Sequence, residues 1–299
     1  MWEAHPVSVA DPDLPGAEGI GLLTAGDVRT LAQRLNLHPT KTLGQNFVID
    51  GGTIRRIVRL AEIDAGSTVL EIGPGLGSLT LGLLDTGAHV VAVEIDARLA
   101  AALPGTVAAV APGAAPRLRV VHADAMTITE EIGTPTTLVA NLPYNVSVPV
   151  LLHALARLES LTSALVMVQA EVGARLAAAP GSRTYGVPSA KVAWYAQARR
   201  AGGVSRTVFW PIPNVDSALV AVQRRDPPRT SATREQVFAV IDAAFAQRRK
   251  TLRAALTPWA GSADAAQAAL QAAGVDPTLR GERLGIDEFA AIAEHQVRS

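Results

Sequence analysis

Seven residues constrain this chain of 299 more than any others: Glu71-Ile72-Gly73-Pro74-Gly75-Leu76-Gly77. They overlap a short apolar, β-branched run over 68–72 and precede a helix-forming stretch over 78–84. Glycine at a strand-to-helix junction lets the backbone turn tightly and approach a ligand, while the first helical turn presents unpaired N–H groups. Taken alone, such a cluster is also an ordinary turn. A second feature favours the ligand: Glu94 closes the next apolar run about 20 residues on, where a carboxylate can accept from both ribose hydroxyls of an adenosine cofactor. The two features together predict a nucleoside bound at the carboxyl edge of a sheet.

The rest of the chain supplies that sheet. Apolar runs over 68–72, 90–95, 118–122, 137–140 and 164–168 read as strands buried on both faces, with helical stretches over 78–84 and 98–103. Alternation of this kind is an α/β, doubly wound, Rossmann-like domain. Ahead of it stand a short helix over 27–35, a polar stretch over 38–47 and a helix over 52–63. In the last of these, Ile54, Ile57, Val58 and Ala61 fall at i, i+3, i+4 and i+7. The Ala/Gly/Pro-rich 104–116 reads as a surface loop. A further strand is expected over 215–222, with Arg224 and Arg225 ending it at the surface. A boundary at Pro227-Pro228-Arg229-Thr230-Ser231 then gives an N-terminal extension over 1–23, the α/β domain over 24–227 and a smaller helical domain over 231–299.

Composition removes several classes of function. The chain has no cysteine, which excludes disulfide frameworks, thiolate metal sites and thiol nucleophiles. Its six histidines (His5, His38, His89, His122, His153, His295) show no pair at ligand spacing, so no metal site is expected. The first residues lack the basic start and apolar run of a signal peptide, and no apolar stretch is long enough to span a membrane. A soluble, cytoplasmic protein is expected, monomeric by default. The formal charge is zero, with 27 basic and 27 acidic residues, which argues at first against a nucleic-acid partner. The distribution argues otherwise. Segments 1–38 and 257–299 each carry −3, whereas 201–256 holds nine basic and four acidic residues.

The acid-first spacing Glu71-x-Gly73-x-Gly75-x-Gly77 resembles motif I of the S-adenosylmethionine (SAM)-dependent methyltransferases. Asp124, just past the third strand, fits the acid that contacts the adenine amino group in that family; taken alone, such a residue is more often a helix N-cap than a ligand. The fourth strand ends in Asn141-Leu142-Pro143-Tyr144, which resembles motif IV of the amino-methyltransferases. An exocyclic amine on adenine is a poor nucleophile because its lone pair is delocalised into the ring. Two acceptors, the Asn141 side-chain oxygen and the Leu142 carbonyl held by rigid Pro143, would favour a pyramidal nitrogen with its lone pair aimed at a methyl sulfonium. Tyr144 would stack on the base, an interaction typically worth about 1–3 kcal/mol. The base must be single-stranded or flipped to reach such a pocket. No general base is evident, as methyl transfer permits.

Further pieces narrow the resemblance. Thr42-Leu43-Gly44-Gln45-Asn46-Phe47-Val48, Asn141-Leu-Pro-Tyr-Asn145, Gln169-Ala-Glu171, Tyr185-Gly186, Pro211-Ile-Pro-Asn-Val-Asp-Ser217 and Ala244-Phe-Ala-Gln-Arg-Arg-Lys-Thr-Leu-Arg253 occur in order. This set resembles the ribosomal RNA adenine N6,N6-dimethyltransferases, the KsgA/RsmA family, with the Erm resistance methylases as close relatives. The resemblance implies that Asn46 and Val48 line the SAM pocket with Gly73, Gly75, Glu94, Asp124 and Asn141. It also implies dimethylation of two adjacent adenosines near the 3′ end of 16S rRNA, within an immature small ribosomal subunit. Arg248, Arg249, Lys250 and Arg253 are expected to cluster on one helix, with Phe245 and Leu252 facing inward, and to grip the RNA backbone. Lys41 and the pairs Arg55/Arg56 and Arg199/Arg200 are further RNA candidates. Three departures stand out: Val48 for the usual Leu, Asn214 where a basic residue is common, and the acidic N-terminal extension. The tetrad alone also permits a DNA or protein amino-methyltransferase, and a non-catalytic assembly factor is the reading from another class.

Overall fold

A computed structural model describes residues 20–37 and 46–295. The N-terminal extension up to residue 19, Lys41, and Thr42 to Gln45 of the first motif lie outside the described residues. The chain opens with α1 (Ala25–Arg34) and β1 (Phe47–Val48), followed by α2 (Gly51–Leu60). Then come β2 (Thr68–Ile72), α3 (Ser78–Asp85), β3 (His89–Glu94), α4 (Ala97–Val110), β4 (Leu118–His122) and β5 (Thr137–Asn141). After these follow α5 (Ser147–Arg157), β6 (Ser163–Gln169), α6 (Ala170–Leu176), α7 (Val187–Tyr195), β7 (Ala196–Val204), β8 (Phe209–Trp210) and β9 (Ser217–Arg224). The chain finishes in α8 (Arg234–Ala246), α9 (Leu252–Ala255), α10 (Thr257–Ala260), α11 (Ala263–Ala272) and α12 (Ile286–Glu294).

Seven strands form one sheet in the order β4-β3-β2-β5-β6-β9-β7. The first five run parallel, whereas β9 pairs antiparallel with both β6 and β7. From β2 the chain winds outward through β3 and β4; it then returns to β5 beside β2 and winds the other way. That reversal opens a crevice between the carboxyl ends of β2 and β5, the place where ligands settle in open α/β sheets. It puts the glycine run, which follows β2, beside the tetrad, which ends β5. The fold is the α/β class expected from the apolar runs, each of which is a strand. No helix among the described residues is long and apolar enough to cross a membrane.

Three local expectations need correction. Residues 104–116 are not a surface loop: α4 continues through Pro104 to Val110, and a 3₁₀ turn covers Pro112–Arg117. Leu103, Thr106 and Val107 are buried, and an alanine-rich helix with one buried side outweighs the single amide that proline removes. The pattern also missed β7. An edge strand carries no need for apolar residues on both faces, and Gln197, Arg199, Arg200 and Gly203 are exposed. Finally, Arg224 does not end its strand in solvent. Its guanidinium turns inward and donates to the carbonyls of Leu155 and Leu158 (2.8 Å each) and Leu161, at the end of α5 and in the turn that follows it.

The basic run is not on one helix either. Gln247 leaves helical geometry (φ −125°, ψ 60°), so α8 stops at Ala246 and Arg248, Arg249 and Lys250 occupy the turn that follows. Arg253 starts afresh on α9. Tertiary pairing explains the break: the Leu252 and Arg253 amides donate to the carbonyls of Leu279 (2.7 Å) and Pro277 (3.2 Å) instead of continuing a helical ladder. Leu252 is buried, as expected, and Phe245 is partly so. The helices after 231 share one apolar cluster with a face of the sheet, in which Val237, Ile241 and Phe289 join Leu70, Val93 and Val166.

Candidate functional site

The glycine run needs its glycines for two reasons. Gly73, Gly75 and Gly77 have φ of 70°, 58° and 95°, a region costly to any side chain. A Cβ on Gly75 would stand 2.8 Å from the Phe47 ring, and one on Gly77 would stand 2.7 Å from Leu103. Phe47 itself is fixed in β1 opposite Trp210, and the two rings stack with centroids 6.4 Å apart. The loop is therefore clamped between α4 and a strand that arrives from outside the main sheet.

Two carboxyls stand behind it. Glu94, buried at the end of β3, accepts from the Gly75 amide through Oε2 (3.1 Å) and from the Asp96 amide through Oε1 (3.0 Å). Burial pushes its carboxyl above the usual range, and the backbone donors pull it back. Glu71 is buried deeper, and its Oε2 accepts from the Thr80 hydroxyl at 2.6 Å. Burial raises its carboxyl to about 8, with a smaller push from the nearby charge of Glu94. Asp124 is different: it is exposed, and its Oδ1 accepts from the Met126 amide at 2.8 Å, closing a local turn. The Ser78 hydroxyl, on the first residue of α3, is buried and has no hydrogen-bond partner among the described residues.

The tetrad closes the other side. The Asn141 side-chain amide donates to the Asn46 carbonyl at 3.0 Å, across 95 residues of sequence. Only an N–H can face a carbonyl, so the amide's oxygen is turned the other way. Leu142 is anchored through its amide to the Met167 carbonyl (3.1 Å), and its side chain is buried. The Tyr144 hydroxyl shares a 2.8 Å hydrogen bond with that of Ser217, and burial raises its phenol above the ordinary value.

These groups line one cavity of about 420 Å³, which takes in Asn46, Val48, Gly73, Gly75, Glu94, Asp124 and the whole tetrad from Asn141 to Tyr144. Glu71, Ser78 and Phe47 also face it, and sequence reasoning had given none of them a role there. Phe47 stood within a quoted motif. Ser217 did too, but nothing in its sequence neighbourhood points to Tyr144. Val48, the departure from the usual leucine, is buried and pairs with Phe209 through the backbone.

Arg248, Arg249, Lys250 and Arg253 do not line this cavity. Arg248 is held by Glu282 (Nε–Oε2 3.1 Å) and donates to the Arg183 carbonyl (2.6 Å); Arg253 pairs with Asp264 at 3.2 Å. Arg249 and Lys250 are exposed. Among the described residues no cluster of three or more His, Asp or Glu gathers at metal-binding spacing.

Residues 36–296 match the ribosomal RNA adenine dimethylase family. The chain is 68% identical over 276 residues to a ribosomal RNA small subunit methyltransferase A of Thermobifida fusca, covering 92% of this chain and 96% of that one. A protein of the same description from an Arthrobacter species is 64% identical over 289 residues, covering 97% of each. Among solved structures, a dimethyladenosine transferase from Plasmodium falciparum superposes with a TM-score of 0.70 at 22% identity, over 82% of this chain and 95% of that one. The 23S rRNA methyltransferase ErmE superposes with a TM-score of 0.61 at 27% identity, over 84% and 99%.

Proposed function

Because the chain belongs to the ribosomal RNA adenine dimethylase family, we propose that it transfers methyl groups from SAM to N6 of two adjacent adenosines near the 3′ end of 16S rRNA, dimethylating each within an immature small ribosomal subunit. The observation that carries this reading is the Asn141 amide fixed by the Asn46 carbonyl at the switch point of the sheet. It leaves one oriented acceptor at the mouth of a cavity whose other walls suit a nucleoside.

The residues present fit SAM. Each oxygen of Glu94 already accepts one backbone N–H and retains capacity for another donor, which matches a pair of ribose hydroxyls. Asp124 keeps Oδ2 for an adenine amino group. The unpartnered Ser78 hydroxyl and the first-turn amides of α3 suit the polar end of a methionine. Gly73 and Gly75 let the backbone come close, and Asn46 and Val48 form the opposite wall. When bound, SAM supplies an electrophilic methyl group on a sulfonium.

The chain's own part is positioning. Asn141 Oδ1 and the Leu142 carbonyl accept the two N6 hydrogens of the unmodified target in the first transfer, and one of them accepts the single hydrogen that remains in the second, drawing the lone pair out of conjugation. Tyr144, held by Ser217, stacks on the base. The amine then loses its proton to water, so no base is needed and orientation supplies most of the acceleration. The α/β domain over 24–227 carries this chemistry. The helical region over 231–299 holds the rRNA backbone through Arg249 and Lys250, and through Arg248 and Arg253 as far as Glu282 and Asp264 release them. The enzyme works as a cytoplasmic monomer and needs no metal.

Small subunits from cells lacking the activity, incubated with the protein and radiolabelled SAM, test the proposal. Primer extension across the 3′ end should show stops at two adjacent adenosines. Label appearing elsewhere, or on DNA or protein in its place, overturns it.

A further inference from the structure

Two elements on the far edge of the sheet carry arginine and no acid. Over 51–60, which is α2, stand Arg55, Arg56 and Arg59; over 196–208, which spans β7, stand Arg199, Arg200 and Arg206. Neither segment contains Asp or Glu, in a chain whose formal charge is zero. The fold brings the two together through Arg56. Its guanidinium donates to the carbonyls of Gly203 (2.8 Å) and Ala201 (3.5 Å), where the pairing of β7 with β9 is irregular between Arg200 and Gly202. Gly202 has φ of 124°, and a Cβ there would lie 2.0 Å from Arg56 Nη2, so this junction is built around the arginine.

With Arg56 used as the fastener, its neighbours stay in solvent. Arg55, Arg59, Arg199 and Arg200 are exposed, and none makes an ion pair among the described residues. Three acids stand near these arginines in sequence. Asp50 caps α2, accepts from the Thr53 amide and hydroxyl at 2.6 Å each and feels the charge of Arg55; Glu62, just past α2, lines a cavity with Arg199; and Asp216 accepts from the Arg206 amide. Arg199 stands opposite Ala221 and Arg200 opposite Val220, so the two point to opposite faces and straddle the sheet edge. Arg206 is tied to the Asn214 carbonyl and is left out of the proposal.

This strip ends at the catalytic mouth. β7 finishes at Val204 opposite Ser217, the partner of Tyr144; α2 begins just after Phe47 and Val48, which line the cavity. Exposed guanidinium groups held in no ion pair among the described residues, on two elements that end at a pocket which must receive an extruded base, match the phosphates flanking that base. We propose that Arg55, Arg59, Arg199 and Arg200 form a second RNA-backbone contact, on the catalytic side of the molecule, that holds the strand beside the target adenosine. The inference rests on the reading above that the polymer is rRNA.

The test is the salt dependence of binding to a synthetic RNA hairpin of the 16S 3′-end sequence, measured by fluorescence anisotropy between about 50 and 200 mM salt. Replacing all four arginines by alanine should flatten the slope of log affinity against log salt by about three, at roughly 0.7–0.9 per lost phosphate contact. Replacing all four by lysine should restore it. If the quadruple alanine variant does not fold, the doubles Arg55→Ala/Arg59→Ala and Arg199→Ala/Arg200→Ala are each expected to lose about half as much. An unchanged slope in a folded variant overturns the contact, whether or not the wild type methylates. Absence of methylation by the wild type overturns the function and leaves the slope to be read by itself.

Discussion

The cavity at the head of the sheet and the basic turn after α8 both present polar side chains, and they differ in what those side chains already hold. In the cavity, internal hydrogen bonds aim groups at a ligand: the Asn46 carbonyl fixes the Asn141 amide, and the Gly75 and Asp96 amides fix Glu94. At the turn, internal bonds consume the charges that a ligand would need, since Glu282 and the Arg183 carbonyl hold Arg248 and Asp264 holds Arg253. A hydrogen bond to one end of an amide preorganises the other end. An ion pair to a cation competes with its partner. Substitutions in the cavity should therefore act on rate and cofactor affinity with little salt dependence, whereas those at the turn should act through salt alone.

The largest effect is expected at Asn141. Asn141→Ala removes the oriented acceptor, and by analogy with the loss of one preorganised polar group in other active sites the single-turnover rate should fall about 10²–10³-fold. A loss smaller than tenfold would break the comparison at its stronger end. Glu71 comes next. In the unfolded chain its carboxyl ionises near 4.5, whereas burial keeps it protonated in the folded protein until about 8. The penalty is absent below the lower value and grows as pH rises to the upper one, because only the unfolded state releases the proton. Glu71→Gln keeps an acceptor for Thr80 without that penalty. Its stability relative to wild type should climb with pH through this window by at most about 1.4 kcal/mol per unit, reaching about 3 kcal/mol at pH 7. Urea unfolding at several pH values checks it, and a pH-independent difference refutes the assignment.

Gly75→Ala should be milder. A side chain at φ 58° costs about 1–2 kcal/mol, and the Phe47 ring must move as well. Calorimetry should show SAM affinity reduced roughly tenfold, equivalent to about 1.4 kcal/mol. Unchanged affinity would mean that the loop does not press on the cofactor.

What could be read from the sequence follows the same division. The gathering of the glycines, Glu94 and the tetrad around one cavity was legible because each stands within a few residues of a strand end. The link from Asn141 to Asn46 and that from Tyr144 to Ser217 were not. They span 95 and 73 residues and exist only because the chain just before β1, a strand paired with β8 outside the main sheet, reaches the end of β5, and because β9 lies beside β6. Helical spacing carried α2 correctly, since the stripe of Ile54 and Ile57 is buried. It failed after Ala246, where amides pair with 277–279 and no local signal announces the break. Arg56 shows the limit from the other side. A doublet of arginines looks uniform in sequence, yet one member fastens the edge of the sheet and the other faces solvent.

The smallest effect is expected at the turn, and it sharpens the comparison most directly. Replacing Arg248, Arg249 and Lys250 together by alanine should barely alter stability, because a solvent-exposed pair such as Arg248–Glu282 contributes about 0–1 kcal/mol. The RNA-binding slope should fall by the share of two free cations, about 1.5, and not by the share of three, about 2.4. Glu282→Gln provides the control: releasing Arg248 from its partner should tighten RNA binding and steepen the slope by up to about 0.9. If the triple variant loses the full three-cation share and Glu282→Gln changes nothing, Arg248 leaves its carboxylate whenever RNA arrives. The turn would then be as ready for its ligand as the cavity is.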